Sequence, residues 1–297
     1  MRFDDNLQTL FDSQGNTMKK LMYLLTILAV SLTTTHAQVR ASHPQSAASD
    51  AVSKEAAIRA KQLYVGAPSP DTTTTCTYSF TSGTGNKFLK YCVTVNGNIV
   101  TFQSPAGREY LATAPIGEGY AFCDFGTATQ YFDYAGYGDS GNWQAPVKVS
   151  SSTTSVKISR KTTDGRFTLT QTITQNAGNA LAQVTMALVN NSTTTRHVGL
   201  LRYADIDADG SLNNTFDYTN RTAIGYNNFG YGLQLAYVSG SAFNGAYSQD
   251  IPGGPNACQI FTSVLGPFNG DGSVFAQVDM MLNKGASGTF VTTYKSF

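Results

Sequence analysis

Three alternating aspartates form the clearest chemical motif of the sequence. Asp205, Asp207 and Asp209 precede a glycine, and Asn213 adds an amide oxygen shortly afterwards. Several oxygen ligands around a turn that glycine makes easily are typical of calcium-binding loops. The motif is not an EF-hand, because Phe216 stands where the bidentate glutamate would be. We therefore predict a structural Ca²⁺ held by the three aspartates and Asn213; a solvated acidic turn and catalytic carboxylates are the alternatives.

Aromatic residues and glycines concentrate in two stretches, residues 117–143 and 216–231. Both are expected to be long loops or edge strands that line a surface, because glycine interrupts regular strand pairing. In the first stretch, Trp143, Tyr134 and Tyr137 are the candidate ligand-binding platform, on which a glycan or surface polymer could stack. Packing of these rings over the end of a β-sandwich is the alternative.

Residues suited to acid–base or nucleophilic catalysis are scarce. Beyond residue 37 the sequence has two histidines, His43 and His197, and three glutamates, Glu55, Glu109 and Glu118. It contains no G-x-S-x-G elbow, P-loop or dinucleotide fingerprint. The carboxylates that could flank a glycosidic bond have no spacing that selects a pair. We therefore predict no catalytic residue, and an enzyme is the second of two functional hypotheses.

Four cysteines, Cys76, Cys92, Cys123 and Cys258, are available for disulfides. The segments on either side of residues 82–86 look like two antiparallel strands, which would place Cys76 directly opposite Cys92. We predict the disulfides Cys76–Cys92 and Cys123–Cys258, with free buried thiols as the alternative. The sequence has no CxxC spacing or Cys/His cluster, so zinc binding and redox catalysis have no support.

From residue 72 onwards the sequence alternates apolar and polar residues between turn signals. Asn96-Gly97 and Asp164-Gly165 are dipeptides that favour tight hairpins, and residues 166–174 alternate apolar side chains with threonines. Long helical periodicity is absent from this part of the sequence. The predicted fold class is all-β, an antiparallel β-sandwich of about ten to fourteen strands.

The N-terminal part has the pattern of a secretory signal. Two lysines after Met18 are followed by an apolar segment at 21–32 and a small-residue cleavage site that ends at Ala37. The apolar segment is shorter than the about 20 residues of a bilayer span, so we expect cleavage and no integral membrane span in the mature chain. The expected location is periplasmic, cell-surface or secreted. The predicted segments are an upstream mis-start (1–17), a signal peptide (18–37), a tether with one short helix (38–71) and a single sandwich domain (72–297).

The composition is that of a globular protein with few charges. Hydrophobic residues make up 41% and charged residues 13%, and 20 Lys+Arg against 19 Asp+Glu give a net charge of +1. Such a balance offers no electrostatic attraction for phosphate backbones, so nucleic acid is excluded as an expected partner. Neither the ligand nor the oligomeric state follows from the composition.

Several motifs of the second half occur in an order that resembles a known class. They are the hairpin at Asp164-Gly165, the strand at 167–174, a further long strand, the Arg-Tyr-Ala-Asp-Ile-Asp segment at 202–207 and the segment at 282–290. This order resembles the large sandwich domains of the galactose-mutarotase-like class over about residues 147–297.

That class often accompanies carbohydrate-active enzymes, and some of its members use a histidine and a glutamate as acid and base. No such pair can be matched in this sequence, so the resemblance implies the sandwich and leaves catalysis unassigned. We therefore predict an exported β-sandwich protein that binds a glycan or other surface polymer. A carbohydrate-active enzyme of the glycoside hydrolase or lyase type is the alternative.

Overall fold

The computed structural model describes residues 74–112, 116–219, 221–249, 254–259 and 267–297. The predicted signal peptide, tether helix and upstream segment lie outside these ranges. The strands are β1 (Tyr78–Ser82), β2 (Leu89–Val93), β3 (Ile99–Gln103), β4 (Gly119–Asp124), β5 (Thr129–Tyr134), β6 (Gly138–Asp139), β7 (Val147–Ser151), β8 (Ser155–Lys161), β9 (Phe167–Asn176), β10 (Leu181–Asn190), β11 (Arg196–Asp205), β12 (Asn214–Tyr218), β13 (Thr222–Tyr226), β14 (Gly232–Gly240), β15 (Ala242–Gln249), β16 (Phe268–Gly270), β17 (Ser273–Leu282) and β18 (Ser287–Ser296).

Two short 3-10 turns, Gly85–Lys87 and Ala208–Gly210, are the helical elements of these described ranges. Within the described ranges, no helix has the length and apolar character that crossing a membrane requires.

Three antiparallel sheets make up the described structure. A nine-stranded sheet has the order β16-β12-β13-β14-β18-β10-β9-β8-β7, and a six-stranded sheet has the order β15-β17-β11-β4-β5-β6. Apolar side chains of both sheets join in one buried cluster, for example Met186 and Phe290 with Leu200 and Val278. Strand alternation explains the packing: β9 buries every second residue, as its apolar and threonine positions predict. The all-β antiparallel sandwich is confirmed, with more strands than predicted because some are as short as two or three residues.

The first aromatic stretch forms three strands of the six-stranded sheet, with β4 and β5 in its interior and the short β6 at its edge. β4, which we expected to be a loop or an edge strand, pairs with both β11 and β5, and all six of its residues are buried. Both rings of β4, Tyr120 and Phe122, lie in one apolar cluster. In the neighbouring β5 the successive residues Tyr131 and Phe132 lie in that cluster and in a second one. A strand covered on both faces can be aromatic at successive positions without lining a surface.

The third sheet, β1-β2-β3, carries the Asn96-Gly97 hairpin turn. Gly97 has a φ of +93°, which is the left-handed conformation that such a turn requires. The turn is not at the surface: Asn96 is 1% and Asn98 0% exposed. Its polar backbone therefore needs partners from inside the protein.

Both predicted disulfides are present, Cys76–Cys92 and Cys123–Cys258. The register around the first differs from the prediction, because β1 pairs Ser79 rather than Cys76 with Cys92. The 3-10 turn Gly85–Lys87 lengthens the connection between β1 and β2 and so shifts the ladder. The bond consequently joins β2 to the residues just before β1. Two disulfides fit an exported protein.

Candidate functional site

The acidic loop follows β11 and is held by a neighbouring segment. The Asp205 carbonyl accepts a hydrogen bond from the Ala112 N–H at 3.1 Å, and the Asp207 N–H donates to the Tyr110 carbonyl, also at 3.1 Å. Asp205 is nearly fully buried. These backbone bonds position the aspartates independently of what their carboxylates contact.

The structure brings Asp205 and Asp207 together with Asp271, which lies in the turn between β16 and β17. One carboxylate oxygen of each residue lies within 4.8 Å of the other two. Asp205 is buried, and the other two are half-buried. The cluster thus contains two of the four residues predicted as calcium ligands. Its third member comes from a distant part of the sequence, where no local motif marks it.

The other two predicted ligands, Asp209 and Asn213, lie outside the cluster. Asp209 Oδ2 accepts hydrogen bonds from Arg108 Nη1 at 2.5 Å and from Asn227 Nδ2 at 3.1 Å. Asn213 is exposed, and its N–H donates to Ser211 Oγ at 3.1 Å. Asp209 instead belongs to a second group of side chains on the protein surface.

That surface group is built around the turn between β13 and β14. Asn227 Oδ1 accepts the backbone N–H groups of Phe229 and Tyr231 at 3.0 and 3.2 Å, which fixes the turn. The Arg108 guanidinium stacks on the Tyr231 ring, with Cζ 4.2 Å from the ring centroid. Phe229 is 69% exposed at the tip of the turn. We call Arg108, Asp209, Asn227, Phe229 and Tyr231 the Phe229 surface.

The three aromatic residues predicted to form a ligand-binding platform are core residues. Trp143, Tyr134 and Tyr137 are 7%, 0% and 4% exposed. Trp143 Nε1 donates to the Phe132 carbonyl at 3.0 Å, and the Tyr134 hydroxyl donates to the Pro255 carbonyl at 3.2 Å. Their burial corresponds to the packing alternative and leaves no ring face open for stacking. Exposed aromatic surface occurs in the second aromatic stretch instead, at Phe229.

The candidate acid–base residues have structural partners. His197 Nε2 is 2.5 Å from Asp279 Oδ1 at the surface. Glu109 Oε1 accepts three backbone N–H groups, which fixes the segment that lies beside the acidic loop. Glu118 is fully buried.

Glu118 belongs to a buried polar network between the sheets. It forms an ion pair with Arg202, and both side chains are completely buried. Glu118 also accepts hydrogen bonds from the Tyr294 hydroxyl at 2.7 Å and from the Ile99 N–H at 2.6 Å. Such a pair requires further hydrogen bonds to offset its desolvation.

The buried hairpin turn explains why these polar groups are inside the protein. Arg202 Nη2 donates to the Gly97 carbonyl at 3.1 Å. The Asn96 carbonyl accepts from Gln171 Nε2 and the Tyr120 hydroxyl, both at 3.1 Å. Because an unsatisfied buried carbonyl is costly, these donors make the inserted turn possible. The network therefore has a structural role.

Glu118 should give the protein a distinctive pH dependence. Burial raises the pKa of Glu118 from 4.5 to about 7, against the lowering effects of Arg202 and the hydrogen bonds. The folded protein therefore holds this proton more tightly than the unfolded chain. The stabilisation that results from this raised pKa is complete below pH 4.5 and is lost as pH rises through about 7. Over this range the free energy of unfolding is expected to fall by about 3 kcal/mol.

Urea unfolding of the wild-type protein and Glu118→Gln between pH 5 and 8 tests this expectation. We expect the wild-type unfolding free energy to fall with rising pH and the variant, which cannot ionise at this position, to lose that component. Equal slopes in both proteins would contradict it.

Comparisons with known proteins agree with the fold. No family model matches the sequence, and no curated protein matches it. Solved structures with a similar fold include a bacterial glucoamylase complexed with acarbose, at 11% identity over 78% of this chain and 34% of that one, with a TM-score of 0.52. They also include a galactose mutarotase related enzyme from Lactobacillus acidophilus, at 9% identity over 74% of this chain and 97% of that one, with a TM-score of 0.40. A third similar structure is that of a heparan sulfate lyase mutant from Pedobacter heparinus. It has 11% identity over 74% of this chain and 35% of that one, with a TM-score of 0.42.

This chain thus spans about a third of the glucoamylase and of the lyase. The glucoamylase similarity supports the sandwich fold, and galactose-mutarotase-like enzymes are among the structural neighbours. The neighbours named here are carbohydrate-active enzymes.

Proposed function

We propose that this chain is an exported β-sandwich protein that binds a neutral glycan through the Phe229 surface. The observation that carries the proposal is the exposed Phe229 ring beside a fixed group of polar side chains. An aromatic ring can stack on the apolar face of a sugar, while amide, carboxylate and guanidinium groups bond its hydroxyls.

The Phe229 surface is ordered before any ligand arrives. Asn227 is 3% exposed and holds both the turn backbone and the Asp209 carboxylate. Arg108 is fixed between Asp209 and the Tyr231 ring. A surface whose side chains are already oriented loses less conformational entropy on binding.

The charge of this surface favours a neutral ligand. Arg108 and Asp209 form an ion pair at 2.5 Å, so neither charge is available alone to attract an anionic sugar. The carbohydrate context is supported by the fold shared with part of a glucoamylase.

The second candidate is a carbohydrate-active enzyme, and the shared fold is the observation that favours it. The carboxylates to test would be the half-buried Asp207 and Asp271, because Glu118 is enclosed and Glu109 is bonded to backbone amides. Release of reducing sugar by the wild-type protein, lost in Asp207→Asn, would favour the enzyme. Retention of a polysaccharide without hydrolysis would favour the binding protein.

Phe229→Ala is expected to weaken glycan binding by about 10- to 100-fold, because burying a phenylalanine side chain contributes about 1.5–3 kcal/mol. Affinity electrophoresis in gels that contain soluble starch, mixed-linkage β-glucan or xylan measures it, with heparin and polygalacturonate as anionic probes.

Met281→Ala is the matched control, because Met281 is 66% exposed on β17 and lies outside the Phe229 surface. Equal retardation of Phe229→Ala and the wild-type protein would show that this surface is not the glycan site. Stronger retention by the anionic gels than by the neutral ones would contradict the neutral-ligand proposal.

A further inference from the structure

We infer that Asp205, Asp207, Asp271 and the amide oxygen of Asn214 form a Ca²⁺ site at the end of the sandwich. This ligand set differs from a simple acidic loop, because it joins three separate segments: the end of β11 with its loop, the start of β12 and the β16–β17 turn. The site is independent of the glycan proposal.

The first observation is the convergence of the three carboxylates. Their oxygens lie within 4.8 Å of one another, although they come from two separate segments, the end of β11 with its loop and the β16–β17 turn. Like charges at this separation repel, so an ion between them would stabilise the arrangement. The Ile206 N–H donates to the Gly272 carbonyl at 3.4 Å, which brings the two connections together next to the cluster.

The second, independent observation is the buried side chain of Asn214. It is 1% exposed, and its Oδ1 has no hydrogen-bond partner among the described residues. Its Nδ2 donates to the carbonyl of Ile206, between Asp205 and Asp207, at 3.1 Å. Across the ladder Asn214 pairs with Gly270, the residue before Asp271.

Asn214 therefore lies among the same segments that supply the carboxylates. A buried amide oxygen without a donor is costly, and coordination of a cation satisfies it. An amide oxygen beside carboxylates is a usual ligand combination for a hard cation.

The spacing favours Ca²⁺ over Mg²⁺. Ligand oxygens lie about 2.3–2.6 Å from Ca²⁺, so two of them on opposite sides are up to about 5 Å apart. The shorter distances and strict octahedral geometry of Mg²⁺ require a tighter arrangement than two half-buried carboxylates on separate connections impose. Water and backbone carbonyls could complete the coordination shell.

Differential scanning fluorimetry and calorimetric titration with CaCl2 on the chelated full-length protein test the site. We expect millimolar Ca²⁺ to raise the wild-type melting temperature by about 5 °C and to bind at one site, whereas Mg²⁺ at the same concentration gives less than half that shift. In Asp271→Asn and Asp207→Asn the heat of binding and the shift should be lost. Both positions are half-buried, so these isosteric variants should fold.

Asp217→Asn is the matched control, because Asp217 lies on β12 near the site and its Oδ1 accepts the Tyr218 N–H, which an amide oxygen can also do. It should keep the full Ca²⁺ shift. Absence of a wild-type shift and heat, or the same shift in Asp271→Asn as in wild type, would overturn the site. An equal effect of Mg²⁺ would overturn its assignment to Ca²⁺.

Discussion

Replacing Arg202 with methionine is expected to lower the free energy of unfolding by about 3–5 kcal/mol, which is the usual cost of removing one partner from a buried ion pair. Arg202 is completely buried with Glu118. It also donates to Gln171 Oε1 at 2.6 Å and to the Gly97 carbonyl at 3.1 Å. The variant keeps the bulk of the side chain but leaves all three acceptors without this donor. Urea unfolding at pH 8, above the raised pKa of Glu118, measures the loss.

Arg166→Met is the control for the loss of an arginine as such. Arg166 pairs with Asp164 at the surface, where both side chains are at least one-third exposed, and such pairs contribute at most about 1 kcal/mol. The double variant Glu118→Leu/Arg202→Met separates two explanations. If the charges matter only to each other, the double variant should recover stability. We expect it to remain destabilised, because the hairpin turn still lacks its donor and acceptor.

Removal of the Cys123–Cys258 disulfide is expected to cost about 4–5 kcal/mol. The bond closes a loop with a sequence separation of 135, and in the chain-entropy model a longer loop constrains the unfolded state more. Cys123 is also fully buried in β4, so alanine substitution removes packing as well. Urea unfolding of Cys123→Ala/Cys258→Ala under non-reducing conditions measures this cost.

Cys76→Ala/Cys92→Ala provides the comparison, because that disulfide spans a separation of only 16 and should contribute about 3 kcal/mol. The order of the two losses is the informative result. A larger loss from the short loop than from the long one would contradict the entropic explanation.

Local features of the fold could be predicted because their signals lie within a few residues. Asp164-Gly165 forms its hairpin, with a φ of +74° at Gly165, and the strand that follows buries alternate residues. The disulfide pairing was also predictable, although the register of β1 was not. The 3-10 turn before β2 changed the length of the connection, and no residue type marked it in advance.

The candidate sites depended on contacts between distant segments. The acidic motif indicated Asp205 and Asp207, but Asp271 joins them only through the fold. Both stretches are rich in aromatic residues. Trp143 is buried because it packs in the core cluster, whereas Phe229 is exposed at the tip of a turn, and the sequence does not distinguish these two environments. The buried Asn96-Gly97 turn was likewise unpredictable, because the dipeptide specifies a conformation and not its surroundings.

The position of β18 has a kinetic consequence. This last strand lies between β14 and β10 in the interior of the nine-stranded sheet, and its Tyr294 contacts Glu118 from 176 positions away. The nine-stranded sheet cannot form completely before β18 has been synthesised, because β18 pairs with both β14 and β10, and pairings of such high contact order form slowly. We expect this sheet to remain incompletely folded until β18 is available to pair. Delayed folding of this kind suits passage through a secretion channel, which the N-terminal pattern predicts.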